Sequence, residues 1–258
     1  MIMTQTIALA GKGGVGKTTI CGLLIQYLCN RQKGPVLAVD ADANSNLNEV
    51  LGVEVDMTLG DIREDVARAD MAEPSPVPAG MTKQEYAEIR FNDALVECDD
   101  YDMLVMGRTQ GKGCYCYVNG ILTAQIARYA NNYRYVVVDN EAGMEHISRG
   151  FLPKIDTIIL VSDCSRRGVQ AAARIYALAK SLNLGAKDIK LIINRAPDGV
   201  ANEGVLEEVR KSGMDLLAVL PQDETIYEYD SNGVPTVQLP GGNAFKTALY
   251  EALDKLSF

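Results

Sequence analysis

The chain has 258 residues, of which 47% are hydrophobic and 23% charged, a balance typical of soluble globular proteins. Its net charge of −9 at pH 7 and pI of about 4.8 argue against non-specific binding to nucleic acid. No apolar run reaches the roughly 18 residues of a membrane span, and no charged leader precedes the first strand-like run. We therefore expect a cytoplasmic protein that binds neither membranes nor nucleic acid.

Apolar, β-branched runs alternate with helical patterns along the chain. Strands are predicted at 5–10, 35–40, 102–107, 134–139, 157–162, 189–194 and 216–220, and helices at 17–30, 46–51, 58–69, 82–97, 119–131, 168–182, 202–212 and 243–256. Continuous Val/Ile/Leu runs are typical of parallel strands buried on both faces. The pattern predicts an α/β fold with one doubly wound, mostly parallel sheet and helices on both faces. We expect a single domain, residues 1–258, with a proline-rich surface insertion near 71–93.

The first predicted strand ends in a glycine-rich run that opens the first predicted helix. The run is Gly11-Lys12-Gly13-Gly14-Val15-Gly16-Lys17-Thr18-Thr19. This is the P-loop pattern, in the context of strand, turn and helix that the motif requires. The glycines let backbone N–H groups surround a phosphate, and the helix N-terminus adds partial positive charge. We expect Lys17 to reach the β- and γ-phosphates and the Thr18 hydroxyl to bind Mg²⁺.

Carboxylates follow two other predicted strands. Asp40 ends the strand at 35–40 and Asp42 follows two residues later, and Asp139 ends the strand at 134–139. Because ligands of open α/β sheets bind at the carboxyl ends of the strands, Asp40 and Asp139 predict a Mg²⁺ site, and Asp42 is expected to orient the attacking water. An Asp/Asn-rich turn that caps the next helix is the alternative for Asp42. Gly143 is expected to donate its backbone N–H to the γ-phosphate.

Polar residues after the last two predicted strands indicate a site for the base. Asn194 and Arg195 follow one strand, and the Asn194 amide offers adenine both a donor and an acceptor. Pro221, Gln222 and Asp223 follow the other strand and are expected to flank the base. Together with the P-loop, these residues predict ATP or ADP with Mg²⁺ as the ligand.

The second lysine of the loop, Lys12, is not required by a standard P-loop. Its presence together with Asp40, Asp42 and Asp139 resembles the deviant Walker A ATPases, which include the MinD and ParA proteins and the nitrogenase iron protein. In that group the additional lysine reaches the nucleotide of the partner subunit. The resemblance covers essentially the whole chain and implies an ATP-hydrolysing homodimer, with catalytic roles for Lys12, Lys17 and Asp42.

Two of the six cysteines, Cys114 and Cys116, lie one residue apart between the strand at 102–107 and the helix at 119–131. Two thiolates at this spacing can converge on a soft metal. A closed tetrahedral site needs four ligands, and a two-fold dimer would supply them. Two buried loop cysteines and a redox-active disulfide, which the short spacing would strain, are the alternatives. The other cysteines, Cys21, Cys29, Cys98 and Cys164, are interpreted as small packing residues.

The run Cys114-Tyr115-Cys116, together with Asp139-Asn140-Glu141-Ala142-Gly143-Met144-Glu145-His146, resembles the CooC family. These are nickel-insertion ATPases for carbon monoxide dehydrogenase, with a paralogue that serves acetyl-CoA synthase. The resemblance implies that Cys114 and Cys116 of both subunits bind Ni²⁺, that Zn²⁺ competes, and that a nickel enzyme is the client. His146, the single histidine, is interpreted as a structural residue rather than a ligand.

Two other functions remain open. A bridging iron–sulfur cluster, as in the nitrogenase iron protein, also needs four thiolates, although that family takes them from separate loops. A MinD-like positioning ATPase needs a basic amphipathic C-terminal helix, whereas residues 245–256 carry mixed charge. The acidic stretch 49–100, with 14 Asp or Glu against 4 Lys or Arg, is interpreted as a solvated face.

Overall fold

A computed structural model of the chain describes residues 3–42, 44–69, 74–108, 116–142, 154–182 and 185–256, with only the backbone of residues 116 and 117. The strands in this part of the chain are β1 (Gln5–Gly11), β2 (Val36–Ala41), β3 (Val96–Glu97), β4 (Tyr101–Val105), β5 (Tyr135–Asn140), β6 (Thr157–Asp163), β7 (Asp188–Ala196) and β8 (Asp215–Pro221). They form one sheet in the order β3-β4-β2-β5-β1-β6-β7-β8.

All strand pairs of this sheet are parallel except β3 with β4, which is antiparallel. The register places Asp40 of β2 opposite Asp139 of β5 and Gly11 of β1 opposite Val161 of β6. The ladder between β7 and β8 is interrupted by two register shifts. The parallel order brings the carboxyl ends of β1, β2 and β5 together, so their terminal residues share one edge of the sheet.

Helices cover both faces of the sheet. They are α1 (Lys17–Asn30), α2 (Leu47–Leu51), α3 (Leu59–Arg68), α4 (Lys83–Ala94), α5 (Cys116–Ala130), α6 (Arg166–Ser181), α7 (Glu203–Ser212), α8 (Glu224–Ser231) and α9 (Ala244–Leu253). Alternate strand residues point to opposite faces: Ile7 and Leu9 join a core with α1, α2 and α9, while Ala8 and Ala10 join a core with α3 to α7. The predicted doubly wound α/β fold is confirmed.

Several predicted elements differ from those observed. The helix predicted at 82–97 ends at Ala94, because Val96 and Glu97 turn back as the edge strand β3. The helix predicted at 119–131 begins earlier, so Cys116 lies at the first residue of α5. Helix α8 was not predicted, although Asp223 is a typical N-cap residue for it.

The surface insertion near 71–93 stays a prediction, but not all of its residues lie at the surface. Its described irregular part is confined to residues 74–82. Helix α4 then follows, in which Ala87 and Phe91 are fully buried and the Phe91 ring lies 5.0 Å from that of Tyr129 in α5. The helix that begins at Lys83 therefore contributes side chains to the core. The assignment of residues 1–258 to a single domain stays a prediction.

Within the described ranges, every helix falls short of the length and apolar character that crossing a bilayer requires.

Candidate nucleotide-binding site

The loop between β1 and α1 presents uncapped backbone N–H groups at the start of a helix. Gly16, the N-cap residue of α1, has a left-handed backbone with φ 91°, and no side chain caps this end. Among the described helices, α3, α4, α6, α7, α8 and α9 instead carry side-chain caps, from Thr58, Thr82, Ser165, Asn202, Asp223 and Asn243. The first turn of α1 is therefore suited to bind an anion through its amides.

Two positions of the loop must be glycine, because atoms of neighbouring strands approach their backbone closely. A Cβ atom on Gly11 would lie 2.3 Å from the carbonyl oxygen of Val161 in β6, and one on Gly16 would lie 2.4 Å from Nδ2 of Asn194. Neither contact leaves space for a side chain. The loop is thus held tightly against the carboxyl ends of β6 and β7.

The two lysines of the loop differ in their surroundings. Lys17 is only 7% exposed, and its Nζ donates a hydrogen bond of 3.3 Å to the carbonyl oxygen of Lys12. The Lys12 side chain is exposed. The ammonium of Lys17 therefore lies within the loop, whereas that of Lys12 is accessible to solvent.

Two buried carboxylates face each other across neighbouring strands below the loop. Asp40 is 0% and Asp139 1% exposed. The Asp40 oxygens accept hydrogen bonds of 3.0 Å from the backbone amides of Asp42 and Leu47. Asp139 accepts a hydrogen bond from Thr18, yet its buried Oδ1 has no partner within the described part of the chain. One carboxylate oxygen is thus left for a ligand.

Burial raises the pKa of both carboxyl groups above that of an exposed aspartate. Desolvation raises the pKa of Asp40 to about 6, although two backbone hydrogen bonds act in the opposite direction. Desolvation likewise raises the pKa of Asp139 to about 7, with Asp40 adding to the rise and Thr18 and Lys17 opposing it. Two buried carboxylates, one with an unpaired oxygen, and a threonine hydroxyl match the oxygen ligands that Mg²⁺ prefers. Asp40, Asp139 and Thr18 would therefore hold this ion, with water in its remaining positions.

Asp42 lies in a tight turn after β2. Its Oδ1 accepts a hydrogen bond of 2.8 Å from the backbone amide of Asn44, and its carbonyl accepts one of 3.1 Å from the amide of Ser45. The cap of α2 comes from Asp40 instead, which accepts the Leu47 amide. The turn considered as the alternative for Asp42 is present, but Asp42 does not cap the next helix. The role of Asp42 in orienting the attacking water stays a prediction.

A cavity of about 930 Å³ adjoins the loop and is lined by residues predicted to surround the base. Gly16, Thr19, Asn194, Arg195, Pro221, Gln222 and Asp223 all contribute to its wall. The sequence analysis missed the part of the wall that α8 provides, including Glu224, Tyr227 and Asp230. The cavity thus joins the ends of β7 and β8 to the P-loop, as a base-binding site requires.

Two residues of this wall also have structural roles. The Asn194 side chain is 3% exposed; its Nδ2 donates to the Val15 carbonyl and its Oδ1 accepts from the Arg195 amide, both at 2.8 Å. Asp223 caps α8 and accepts a hydrogen bond of 2.7 Å from Asn243. Asn194 therefore fastens the P-loop to β7, and its pairing with adenine stays a prediction.

Several predicted residues lie outside the described residues: Cys114, Gly143 and His146. Of Cys116, only the backbone is described, as the start of α5. The described part of the chain holds no group of three or more His, Cys, Asp or Glu placed to bind a metal. Cys21 is buried as expected, whereas Cys29, Cys98 and Cys164 are partly exposed free thiols.

Comparison with known proteins identifies the family. Residues 6–237 match the CobQ/CobB/MinD/ParA nucleotide binding domain (CbiA). The chain belongs to this family. It is an ATPase, and ATP or ADP with Mg²⁺ is the ligand expected at its P-loop.

Two relatives extend over nearly the whole chain. An uncharacterized ATP-binding protein of Methanocaldococcus jannaschii is 42% identical and covers 97% of both chains. The carbon monoxide dehydrogenase accessory protein CooC of Rhodospirillum rubrum is 30% identical over 90% of this chain and 89% of its own. Among solved structures, the cell division ATPase MinD of Pyrococcus furiosus superposes with a TM-score of 0.71 at 23% identity, covering 99% of this chain and 100% of its own. This last similarity concerns the fold alone.

Proposed function

We propose that the protein is an ATP-dependent nickel metallochaperone. In this proposal a homodimer binds Ni²⁺ through Cys114 and Cys116 of both subunits and inserts it into carbon monoxide dehydrogenase or acetyl-CoA synthase. The observation that carries the proposal is the Cys-Tyr-Cys run, whose second cysteine is the first residue of α5, in a chain 30% identical to a carbon monoxide dehydrogenase accessory protein. Zn²⁺ is expected to compete for the same thiolates.

The position of this run supports a link between metal and nucleotide. Strand β4 ends at Val105, which pairs with Asp40 at the end of β2. The segment between β4 and α5 therefore starts beside a carboxylate of the nucleotide site, and Cys116 is the first residue of α5. Along the sequence, the cysteine pair thus follows closely after a strand that ends at the nucleotide site.

The residues of the nucleotide site have distinct roles in the proposed mechanism. Lys17 and the amides of the P-loop bind the phosphates, and Thr18, Asp40 and Asp139 hold Mg²⁺, which neutralises phosphate charge when bound. Asp42 orients the water that attacks the γ-phosphate. The exposed Lys12 reaches the nucleotide of the other subunit and stabilises the charge of the transferring group. Hydrolysis then changes the spacing of the two cysteine pairs, and metal affinity is coupled reciprocally to nucleotide state.

An anaerobic titration of the reduced protein with Ni²⁺ tests the proposal. Bound metal and oligomeric mass are measured together, and one Ni²⁺ per dimer is expected. The variant Cys114→Ser/Cys116→Ser should lose the stoichiometric metal while still binding ATP. The matched control, Cys98→Ser/Cys164→Ser, removes two partly exposed thiols elsewhere and should keep it. Stoichiometric nickel in the first variant would refute the proposal, and a brown iron-containing dimer would favour an iron–sulfur protein.

A MinD-like positioning ATPase is the second candidate, because the matched family also includes MinD. One described element argues against membrane attachment by the C-terminal helix. Helix α9 buries Phe245, Leu249 and Leu253 in the core, each 2% exposed or less, so its apolar side is not available to lipid. Co-sedimentation with anionic liposomes in the presence of ATP, at physiological salt, would support this candidate over the nickel proposal.

A further inference from the structure

Strand β7 contains a β-bulge where it reaches the nucleotide cavity. Between the paired positions Ile193–Val219 and Ala196–Pro221, β7 has two residues and β8 has one. The second of the two residues, Arg195, has a left-handed backbone with φ 56°. Bulges bend a strand and change the direction of a side chain, and they are frequent beside active sites. The bulge therefore sets the direction in which Arg195 leaves the sheet.

The left-handed backbone of Arg195 costs free energy that a glycine at this position would not cost. The conformation is held by the preceding side chain, because Oδ1 of Asn194 accepts a hydrogen bond of 2.8 Å from the Arg195 amide. Asn194 is itself fixed by its bond to the Val15 carbonyl. Backbone strain that the surroundings maintain in this way is concentrated at ligand sites. The strain thus points to a binding role for the arginine side chain.

The guanidinium of Arg195 is available to a ligand. Its side chain is exposed, and among the residues that the structure describes it forms no hydrogen bond or ion pair. In the described wall of the cavity of about 930 Å³, Arg195 is the single cation, and the other charged residues are the carboxylates Asp223, Glu224, Glu228 and Asp230. These carboxylates repel phosphate, which the P-loop binds instead. The base and the ribose are therefore the parts of a nucleotide that suit this wall.

A second planar side chain lines the same cavity from a different element. Tyr227 of α8 is 74% exposed, and its hydroxyl has no hydrogen-bond partner within the described ranges. No residue of α8 is buried, so the Tyr227 ring is not needed for the core. Guanidinium groups and aromatic rings both present flat faces on which a base can stack.

We propose that Arg195 and Tyr227 hold the base of the nucleotide between them, with the guanidinium stacked on one face and the phenol ring on the other. The β-bulge presents Arg195 to the base, and Asn194 maintains the bulge. Because the amide of Asn194 is already bonded to Val15 and Arg195, affinity for the base comes more from its faces than from its edge. The inference concerns the nucleotide alone and does not depend on nickel or on the cysteine pair.

Binding of two probes to the full-length protein separates contacts with the base from contacts with phosphate. The probes are Mg²⁺–ADP and Mg²⁺–pyrophosphate, which has the two phosphates of ADP but no base, and isothermal titration calorimetry measures both. Tyr227→Ala should weaken ADP binding by about tenfold and Arg195→Ala by about fivefold. Neither change should alter the affinity for pyrophosphate.

Conservative variants test whether stacking is the cause. Tyr227→Phe keeps the ring and should restore the ADP affinity that is lost in Tyr227→Ala. Arg195→Lys keeps the charge but loses the planar group, and it should bind ADP no better than Arg195→Ala does. The matched control is Arg174→Ala, which removes an exposed arginine of α6 that does not line the cavity and should leave the affinity for both probes unchanged.

Thermal unfolding without nucleotide distinguishes a binding role of Arg195 from a structural one. Arg195→Gly removes the backbone strain together with the side chain. It should therefore unfold at a higher temperature than Arg195→Ala and at no lower temperature than the wild type. Its affinity for ADP should nevertheless fall as far as that of Arg195→Ala.

Each contrary result would overturn the inference. Unchanged ADP affinity in Tyr227→Ala or Arg195→Ala would show that the side chain does not contact the base. An equal loss of pyrophosphate affinity would assign Arg195 to phosphate, full ADP affinity in Arg195→Lys would assign it a purely electrostatic role, and a less stable Arg195→Gly would make it a structural residue. The Ni²⁺ titration is independent, so the metallochaperone proposal and the base contacts can each fail without the other.

Discussion

At the scale of single residues, Asp40 and Asp139 dominate the chemistry of the site. A carboxyl group whose pKa is raised in the folded state binds a proton more tightly there than in the unfolded chain. Its contribution to stability is therefore complete at low pH and is lost as the pH rises through the folded-state values of about 6 and 7. Over the same pH range the carboxylates become available to a cation, so metal binding should strengthen as stability falls.

The variant Asp139→Asn tests this linkage. Without nucleotide or metal, the unfolding free energy of the wild type should fall between pH 5 and pH 8. The fall in the variant should be smaller than that in the wild type by more than about 1 kcal/mol. ATP hydrolysis should fall to background, because a ligand of Mg²⁺ is removed. Urea unfolding at the two pH values measures the first effect. The exposed carboxylate in Asp188→Asn serves as control, and an equal pH dependence in wild type and Asp139→Asn would contradict the assignment.

Gly16 offers a second test, with Gly80 as its matched control. Both glycines have positive φ, 91° and 85°, but a Cβ atom on Gly80 would meet nothing within 4 Å. Gly80→Ala should therefore show only backbone strain of about 1 kcal/mol. Gly16→Ala should be less stable than Gly80→Ala and should lose ATP binding, because Asn194 must move. Thermal unfolding and nucleotide titration check both statements; retention of ATP affinity in Gly16→Ala would disprove the close packing of the loop.

Not all roles of these residues could be predicted from the sequence. The P-loop glycines and Lys17 were predicted because their spacing is local and the strand before and helix after them agree. The bond from Asn194 to Val15 joins residues 179 positions apart, so no local pattern reveals it. Nor does a local pattern place Arg108 beside Asn44, 64 positions away.

At the scale of elements, α4 shows where composition misleads. Prolines and acidic residues around this helix indicate a surface insertion, yet its Phe91 fills the core against α5. Edge elements were the hardest to predict: β3 has two residues, too few for a hydrophobic period, and none of the residues of α8 is buried. The long central strands were predicted within two residues because both of their faces are covered.

Two alanine variants of α4 distinguish core from surface. Phe91→Ala should lower the unfolding free energy by about 3–5 kcal/mol, because it leaves a cavity between α4 and α5. Ile89→Ala, in the same helix but 50% exposed, should change it by no more than about 0.5 kcal/mol. Equilibrium urea unfolding compares the two variants. Similar losses of unfolding free energy in both would indicate that α4 lies at the surface.

At the scale of the whole molecule, Lys12 and Lys17 are expected to serve different nucleotides in the dimer. Lys17 is buried within its own loop, whereas Lys12 is exposed. If Lys12 acts across the interface, each site needs Lys17 of one subunit and Lys12 of the other. Lys12→Ala should then keep ATP binding and lose turnover.

Mixing two inactive variants tests this arrangement directly. When Lys12→Ala and Lys17→Ala subunits are combined in equal amounts, half of the dimers are mixed, and one of two sites in each has both lysines. ATPase activity should recover to about a quarter of the wild-type rate. Lys187→Ala, an exposed lysine elsewhere, should be fully active alone. No recovery on mixing would refute action between subunits.

The two edge strands of the sheet, β3 and β8, affect the tendency of the protein to aggregate at high concentration. At one end β3 offers only two residues, and its Glu97 is exposed. At the other end, β8 has a ladder broken by register shifts and ends in Pro221. Edge strands are poor templates for further β-pairing when they are short, charged or irregular, or when they end in proline. The chain should therefore resist fibril formation, and growth through its backbone edges is disfavoured.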